Sequence, residues 1–162
     1  MRRTTTKGLV FLSVCLVAAG ALACEIEIDI KPGSYPNSVN LGRQGLMSVA
    51  ALAPTADAFD YAFLDQTRLA VDRASWWYGV KPERWAWEDV NKDGIDDVVF
   101  KFSIPKLVEA GVLHEGTTEL VLVIPGNWNE YWPNAYCQWN SLEGSDSIRI
   151  VPSKNVKADK KK

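Results

Sequence analysis

The sequence predicts an all-β protein, an antiparallel β-sandwich of about eight strands with one short connector helix. Segments with alternating polarity, or rich in β-branched and aromatic residues, recur along the whole length. Turn-forming segments such as KPGSYPNS, NKDG and HEGT separate them. Many short strands joined by turns are typical of a sandwich.

The individual elements follow from local pattern. The helix is predicted in SIPKLVEAG, residues 103–111, because proline presets the first turn and Gly111 can adopt the left-handed conformation that ends a helix. The predicted strands span 25–30, 46–52, 67–71, 83–89, 96–102, 118–125, 135–140 and 146–151.

The N-terminus has the pattern of a secretory signal peptide. Arg2, Arg3 and Lys7 precede an apolar run, and Ala21-Leu22-Ala23 is a small-x-small cleavage pattern. The apolar run is too short for the ~20 residues of a spanning helix. We therefore expect a signal peptide at 1–23, one sandwich domain at 24–153, and a disordered lysine-rich tail at 154–162.

Charge is distributed unevenly. Residues 24–153 contain ten Lys and Arg against nineteen Asp and Glu, whereas the tail contains five lysines and one aspartate. An acidic body repels phosphate backbones and attracts cations, which argues against a nucleic-acid partner and is compatible with calcium. The exported protein is expected in the extracellular or periplasmic space, secreted or surface-anchored, without a membrane span.

Two cysteines, Cys24 and Cys137, remain after cleavage of the signal peptide. In an oxidising compartment a disulfide between them is the natural pairing, and it would contribute about 4 kcal/mol in the chain-entropy model. Two alternatives stay open. Cys24 could be acylated as a lipoprotein cysteine, although Ala-Leu-Ala-Cys matches that motif poorly, or both thiols could be free.

A candidate metal loop lies in DVNKDGIDDVVF, residues 89–100. Asp89, Asn91 and Asp93 alternate, so a curled loop can turn their side-chain oxygens inward, and a glycine permits the bend. The carbonyl of Ile95 and the carboxylate of Asp97 complete the predicted shell. All ligands are hard oxygens, so Ca²⁺ is the expected ion.

Two comparisons define this loop further. Position twelve of a helix-loop-helix calcium hand would be glutamate, but here it is Phe100, and a strand follows. The loop is therefore similar to those joining strands in integrin-type propeller repeats. The competing interpretation is a turn without metal, in which aspartates accept bonds from backbone amides.

Three motifs resemble those of a known family. IDIKPGSYPNSVN and EGSDSIRIVP lie near the two ends of the mature chain, and EDVNKDGIDD lies between them. They are similar to a poorly characterised family of exported bacterial and archaeal modules, often embedded in larger surface proteins. The resemblance implies a β-sandwich that binds calcium through Asp89, Asn91, Asp93 and Asp97, and it implies no catalytic residue.

Seven tryptophans lie in segments that depart from this family pattern. Trp85 and Trp87 share one face of a predicted strand, and we expect them in the core. The aromatic residues of GNWNEYWPN lie in a predicted loop, where they form either a recognition surface for sugars or a lid on Trp76 and Trp77. The candidate ligand-binding residues are Trp128, Tyr131, Trp132, Trp76 and Trp77.

No catalytic motif stands out. His114, the single histidine, lies in a turn without an adjacent nucleophile, and we expect a surface residue. The leading prediction is a secreted, calcium-stabilised, noncatalytic binding or cell-surface structural module, with a polysaccharide or surface protein as partner. The alternatives are a carbohydrate-binding protein that uses loop aromatics, and a glycoside hydrolase-like enzyme with an acid pair that the sequence does not locate.

Overall fold

The computed structural model describes residues 24–127 and 140–151. Nine strands and one α-helix are present there: β1 Ile28–Ile30, β2 Ser38–Asn40, β3 Leu46–Ala51, β4 Arg68–Ala70, β5 Arg84–Glu88, β6 Asp97–Ser103, α1 Ile104–Glu109, β7 Glu119–Pro125, β8 Ser141–Ser147 and β9 Arg149–Val151. Two 3₁₀ turns, Leu64–Gln66 and Trp76–Tyr78, lie in the connections.

The first sheet is four-stranded and antiparallel, in the order β1-β3-β6-β5. Its centre is the long pairing of β3 with β6, in which Leu46 lies opposite Ser103 and Ala51 opposite Val98. β5 lies at one edge, with Trp85 opposite Phe100 and Trp87 opposite Val98. Directly opposed residues of antiparallel strands share a face of the sheet. Because Phe100 and Val98 are core residues, both tryptophans point toward the core side.

The second sheet is three-stranded and antiparallel, in the order β4-β7-β8. The chain just before β1 runs along β8: the N–H of Ile26 donates to the Glu143 carbonyl at 2.8 Å, and the N–H of Glu143 donates to the Cys24 carbonyl at 2.9 Å. The N-terminal segment therefore extends the second sheet before it enters the first as β1. β2 and β9 form a separate, short, two-stranded parallel sheet.

The core lies between the two antiparallel sheets, as expected for a sandwich. Both sheets and the helix region contribute side chains that are almost inaccessible to solvent. These include Ile30, Val49, Phe100 and Phe102 from the first sheet, Leu69, Leu120, Leu122 and Ile124 from the second, and Leu107 and Leu113 from the helix region.

The predicted all-β fold is confirmed, and so is the connector helix. Pro105 lies in the first turn of α1, the Ser103 hydroxyl accepts from the Lys106 N–H, and Gly111 has φ +73°. Two strands were not predicted. β2 begins at Ser38, the last residue of the predicted turn KPGSYPNS, and β8 contains LEGS, residues 142–145, where a turn was also expected.

The reason for both differences is tertiary pairing. β8 contains glycine and polar residues of low strand propensity, yet it pairs with β7 over seven positions, from Glu119 opposite Ser147 to Pro125 opposite Ser141. The predicted signal peptide, the lysine-rich tail, Cys137 and nearly all of the predicted strand 135–140 lie outside the described residues.

Candidate functional site

The candidate metal loop connects β5 to β6. Glu88 is paired with Asp97, so residues 89–96 form the hairpin connection between these strands. The loop bends sharply because Lys92 and Gly94 both have left-handed backbone conformations, with φ of 64° and 89°. The glycine takes that conformation without steric cost, as the sequence predicted.

Three predicted ligand side chains converge inside this bend. The N–H of Asp93 donates to Asp89 Oδ1 at 3.2 Å and to Asn91 Oδ1 at 3.0 Å. Asp89 Oδ2 accepts from the Gly94 N–H at 3.1 Å, and Asp93 Oδ1 accepts from the Ile95 N–H at 2.8 Å. Asn91 Nδ2 donates to Asp93 Oδ2 at 2.8 Å. The side-chain oxygens of Asp89, Asn91 and Asp93 therefore face the same short run of backbone.

The next candidate ligand, Asp97, has a different environment. It is fully buried, and its two carboxylate oxygens accept from the Ala53 N–H at 2.8 Å and from the Val90 N–H at 2.9 Å. Asp97 thus joins the end of β3 to the end of β5 and anchors the loop. Ile95 is half-buried against the core, which fixes the middle of the loop.

The donor set fits a hard divalent cation in chemical type. Asp89, Asn91 and Asp93 supply only oxygen atoms toward the bend, and an oxygen that accepts one N–H keeps a further lone pair. In 24–127 and 140–151, no three side chains of His, Cys, Asp or Glu are grouped closely enough to hold a metal ion. The proposed site differs from such a group in two ways. Asn91 supplies an amide oxygen, not a carboxylate, and the Asp97 carboxylate accepts from the backbone N–H groups of Ala53 and Val90.

The tryptophans of β5 are more exposed than the sequence suggested. Trp85 is 41% and Trp87 48% exposed. The expectation that they are core residues is therefore wrong. They point to the core side, but β5 is the edge strand and only part of each indole is covered. Their rings lie 6.1 Å apart, edge to face, and the Trp87 ring lies 6.1 Å from that of buried Phe59.

A second aromatic surface lies in the 3₁₀ turn before β5. The rings of Trp76 and Trp77 stack with their centroids 4.1 Å apart. Trp77 is 66% and Tyr78 85% exposed. Trp128, Tyr131 and Trp132, the other predicted ligand-binding residues, lie outside the described residues.

A cleft of about 600 Å³, which was not predicted from the sequence, lies on the outer face of the first sheet. Its floor includes Ser48 and Lys101, whose Nζ donates to the Ser48 hydroxyl at 2.7 Å. Asp29 also lines it, and burial, followed by the nearby Asp146 and Glu27 carboxylates, raises the Asp29 pKa. The one sequence signal was Lys101, the only cationic residue of β6.

His114 is exposed, as expected, and its Nδ1 accepts from the Gly116 N–H at 3.1 Å within a turn.

No family model, curated protein or solved structure matches the chain. None of the helices in the described part of the chain is long and apolar enough to cross a membrane.

Proposed function

We propose that the protein is an exported, noncatalytic binding or surface-structural module whose sandwich is stabilised by a Ca²⁺ ion in the loop between β5 and β6. The observation that supports the metal site is the convergence of Asp89, Asn91 and Asp93 on consecutive backbone N–H groups of one bent loop. These three residues would hold the ion. Ile95 and Asp97 remain proposed as further ligands.

The ion would supply positive charge among crowded carboxylates. Asp89, Asp93 and Asp96 lie within one short loop, so their mutual repulsion favours an open loop when no cation is bound. Because Asp97 ties the same loop to Ala53 at the end of β3, ordering of the loop is coupled to the first sheet. The free energy of calcium binding would therefore add to the free energy of unfolding.

The first test is the melting temperature of metal-free protein with and without calcium. A ligand at about 100 times its Kd adds about 2.7 kcal/mol to the free energy of unfolding, which is several degrees in melting temperature for a domain of this size. We expect that increase with millimolar Ca²⁺ and its reversal by chelator. Identical melting curves would contradict the proposal.

Two matched variants distinguish a carboxylate that binds the ion from one that only adds negative charge to the loop. Asp93→Asn and Asp96→Asn each remove one carboxylate charge from the loop, but only Asp93 makes hydrogen bonds inside the bend. We expect Asp93→Asn to abolish most of the calcium-induced increase and Asp96→Asn to retain it. Equal responses would show that the effect is a general charge effect.

Asp97→Ala has a different expected signature. Loss of a buried acceptor leaves the N–H groups of Ala53 and Val90 without their partner, which costs about 1–3 kcal/mol for each unsatisfied group. We expect the melting temperature to fall both in calcium and in chelator. A loss seen only in calcium would make Asp97 a ligand without an anchoring role.

Carbohydrate binding is the second candidate function, favoured by the exposed rings of Trp77 and Tyr78 and by the half-buried Trp76 stacked on Trp77. Stacked or coplanar rings accept the apolar faces of sugar rings, and polysaccharide is the proposed partner. Oligosaccharides should quench the intrinsic fluorescence of the protein, and Trp77→Ala should weaken binding at least tenfold. Tyr35→Ala, at another exposed aromatic residue, is the control. Unchanged emission at millimolar oligosaccharide would remove this candidate.

Export and the state of Cys24 belong to the same proposal. Cys24 packs against the core and its carbonyl accepts from the Glu143 N–H, so the start of the mature chain is held to the fold. We retain a Cys24–Cys137 disulfide as the proposed pairing, with lipidation of Cys24 as its alternative. Mass spectrometry of the exported protein distinguishes them: reduction adds two hydrogens for a disulfide, whereas acylation adds the mass of lipid.

A further inference from the structure

β5 is an exposed edge strand, and its outer edge can pair with another strand. β5 lies at the end of the first sheet, and all five of its residues are exposed. Among the described residues, no strand pairs with its outer edge. An edge of this kind carries unpaired backbone donors and acceptors and is a template for pairing with another chain.

The sequence of β5 is complementary to itself. Arg84, Trp85, Ala86, Trp87 and Glu88 are arranged symmetrically around Ala86, with opposite charges at the two ends. When two copies pair antiparallel about Ala86, Arg84 of each copy lies opposite Glu88 of the second copy. Each Trp85 then lies opposite Trp87 of the second copy. Opposite charges and aromatic pairs at directly opposed positions stabilise antiparallel strands.

The two faces of β5 are consistent with this register. Trp85 and Trp87 lie on the core side, because their partners Phe100 and Val98 are buried. Arg84 and Glu88 therefore lie on the outer face, where neither forms an ion pair within the described residues. A two-fold axis perpendicular to the sheet keeps each face continuous across the junction.

Other registers lose this complementarity. Moving the symmetry centre to Trp85 or Trp87 retains the continuity of each face, but it then places Arg84 or Glu88 opposite an uncharged residue. Only the register centred on Ala86 pairs both charges and both tryptophans at once. In that register the half-exposed indoles of the two copies meet in one strip of apolar surface.

We propose that the protein forms a two-fold symmetric dimer by antiparallel pairing of β5 with β5 of a second copy. The two four-stranded sheets then form one continuous eight-stranded sheet. This interface uses neither the carboxylates of the metal loop nor the aromatic 3₁₀ turn, so it is independent of the proposed function.

The test is sedimentation analysis of the exported protein over a concentration series. We expect twice the monomer mass at high concentration. Arg84→Glu places two Glu–Glu pairs across the interface, and Glu88→Arg places two Arg–Arg pairs there; each variant should raise the dimer dissociation constant at least tenfold. Arg149→Glu and Glu109→Arg, the same charge changes at exposed sites elsewhere, should leave it unchanged.

Mixing gives the most specific result. Arg84→Glu and Glu88→Arg chains are complementary to each other at both positions, so an equimolar mixture should form heterodimers as stable as the wild-type dimer, within about twofold. The double variant with both changes should also dimerise. A monomer at every concentration, or a dimer insensitive to these charges, would overturn the proposal.

A covalent test does not depend on the charge variants. Residue 86 of one copy faces residue 86 of the second copy at the symmetry axis, at a separation that suits a disulfide. Ala86→Cys should therefore give a reducible covalent dimer under oxidation, whereas Ala74→Cys, exposed outside β5, should not. Equal crosslinking of the two variants would contradict the register.

Discussion

Thr67 carries a buried hydroxyl without a hydrogen-bond partner in the described residues. The residue is fully buried after the first 3₁₀ turn, and its Oγ1 is unpaired. An unsatisfied buried hydroxyl costs about 1–3 kcal/mol, and valine has nearly the same shape. We expect Thr67→Val to raise the free energy of unfolding by about 1 kcal/mol in urea titrations.

Thr117→Val is the matched control. The Thr117 hydroxyl accepts from the His114 N–H at 3.0 Å and donates to the Val112 carbonyl at 3.3 Å. The same substitution there should lower the free energy of unfolding by about 1–3 kcal/mol, because the His114 N–H loses its acceptor and the buried Val112 carbonyl loses its donor. A loss of stability in both variants would show that the Thr67 hydroxyl has a role of its own.

Gly144 allows the N-terminal segment to cross β8. A Cβ at this position would lie 2.3 Å from the Ile26 carbonyl oxygen and 2.6 Å from Ile28 Cγ2. Both atoms belong to the backbone or to a buried side chain, so they have little room to move. We expect Gly144→Ala to lower the free energy of unfolding by about 1–3 kcal/mol.

Gly45→Ala provides the comparison, because no atom lies within 4 Å of its Cβ position. It should leave the free energy of unfolding unchanged or raise it by up to about 1 kcal/mol. If Gly144→Ala were equally harmless in the same urea titrations, the close approach of the chain to β8 would be wrong.

At the scale of elements, Asn37, the residue just before β2, is hydrogen-bonded to the end of β8. This residue is buried, and its Nδ2 donates to Asp146 Oδ2 at 2.8 Å and to the Ser147 carbonyl at 3.0 Å. Asp146 Oδ2 also accepts from the Ile30 N–H at 2.9 Å. The segments IDIKPGSYPNSVN and EGSDSIRIVP therefore meet in one hydrogen-bond cluster that connects the N-terminal and C-terminal parts of the described chain.

We expect Asn37→Ala to lower the free energy of unfolding by about 2–4 kcal/mol, because two hydrogen bonds are lost and the half-buried Asp146 carboxylate loses a donor. Asn40→Ala, at the other end of β2, removes one bond to the Gly42 N–H and should cost less than about 1 kcal/mol. Thermal unfolding followed by circular dichroism measures both. If both variants lost the same free energy of unfolding, the Asn37 cluster would contribute no more stability than the single turn bond of Asn40.

At the scale of the whole molecule, stability depends on pH through Asp29. Burial, then the Asp146 and Glu27 carboxylates, raise the pKa of Asp29, so the folded state binds its proton more tightly than the unfolded state. The charged form therefore destabilises the fold at neutral pH. This penalty disappears as pH falls through the raised folded-state pKa toward the ordinary value.

Asp29→Asn should consequently raise the free energy of unfolding at pH 7, and the gain over wild type should vanish near pH 3.5. Asp60→Asn, at an exposed carboxylate, controls for the change in net charge. Urea titrations at the two pH values measure the effect. A gain that is the same at both would assign it to packing, not to the proton.

The fold class, the helix and seven of the nine strands were predictable wholly or in part from local pattern. Alternation, turn residues and caps act within a few residues, so the sequence displays them directly. The bend at Gly94 and the convergence of Asp89, Asn91 and Asp93 were predictable for the same reason, since the loop is contiguous.

Other features depend on residues far apart in the chain, and only the tertiary structure decided them. β2 and β8 became strands because β9 and β7 supplied partners, Asp97 became an anchor because the Ala53 amide lies beside it, and the β5 tryptophans stayed half-exposed because β5 is an edge. The sequence by itself determined the kinds of element and the chemistry of the loop. Long-range pairing determined what each side chain touches, because that depends on which segments the fold brings together.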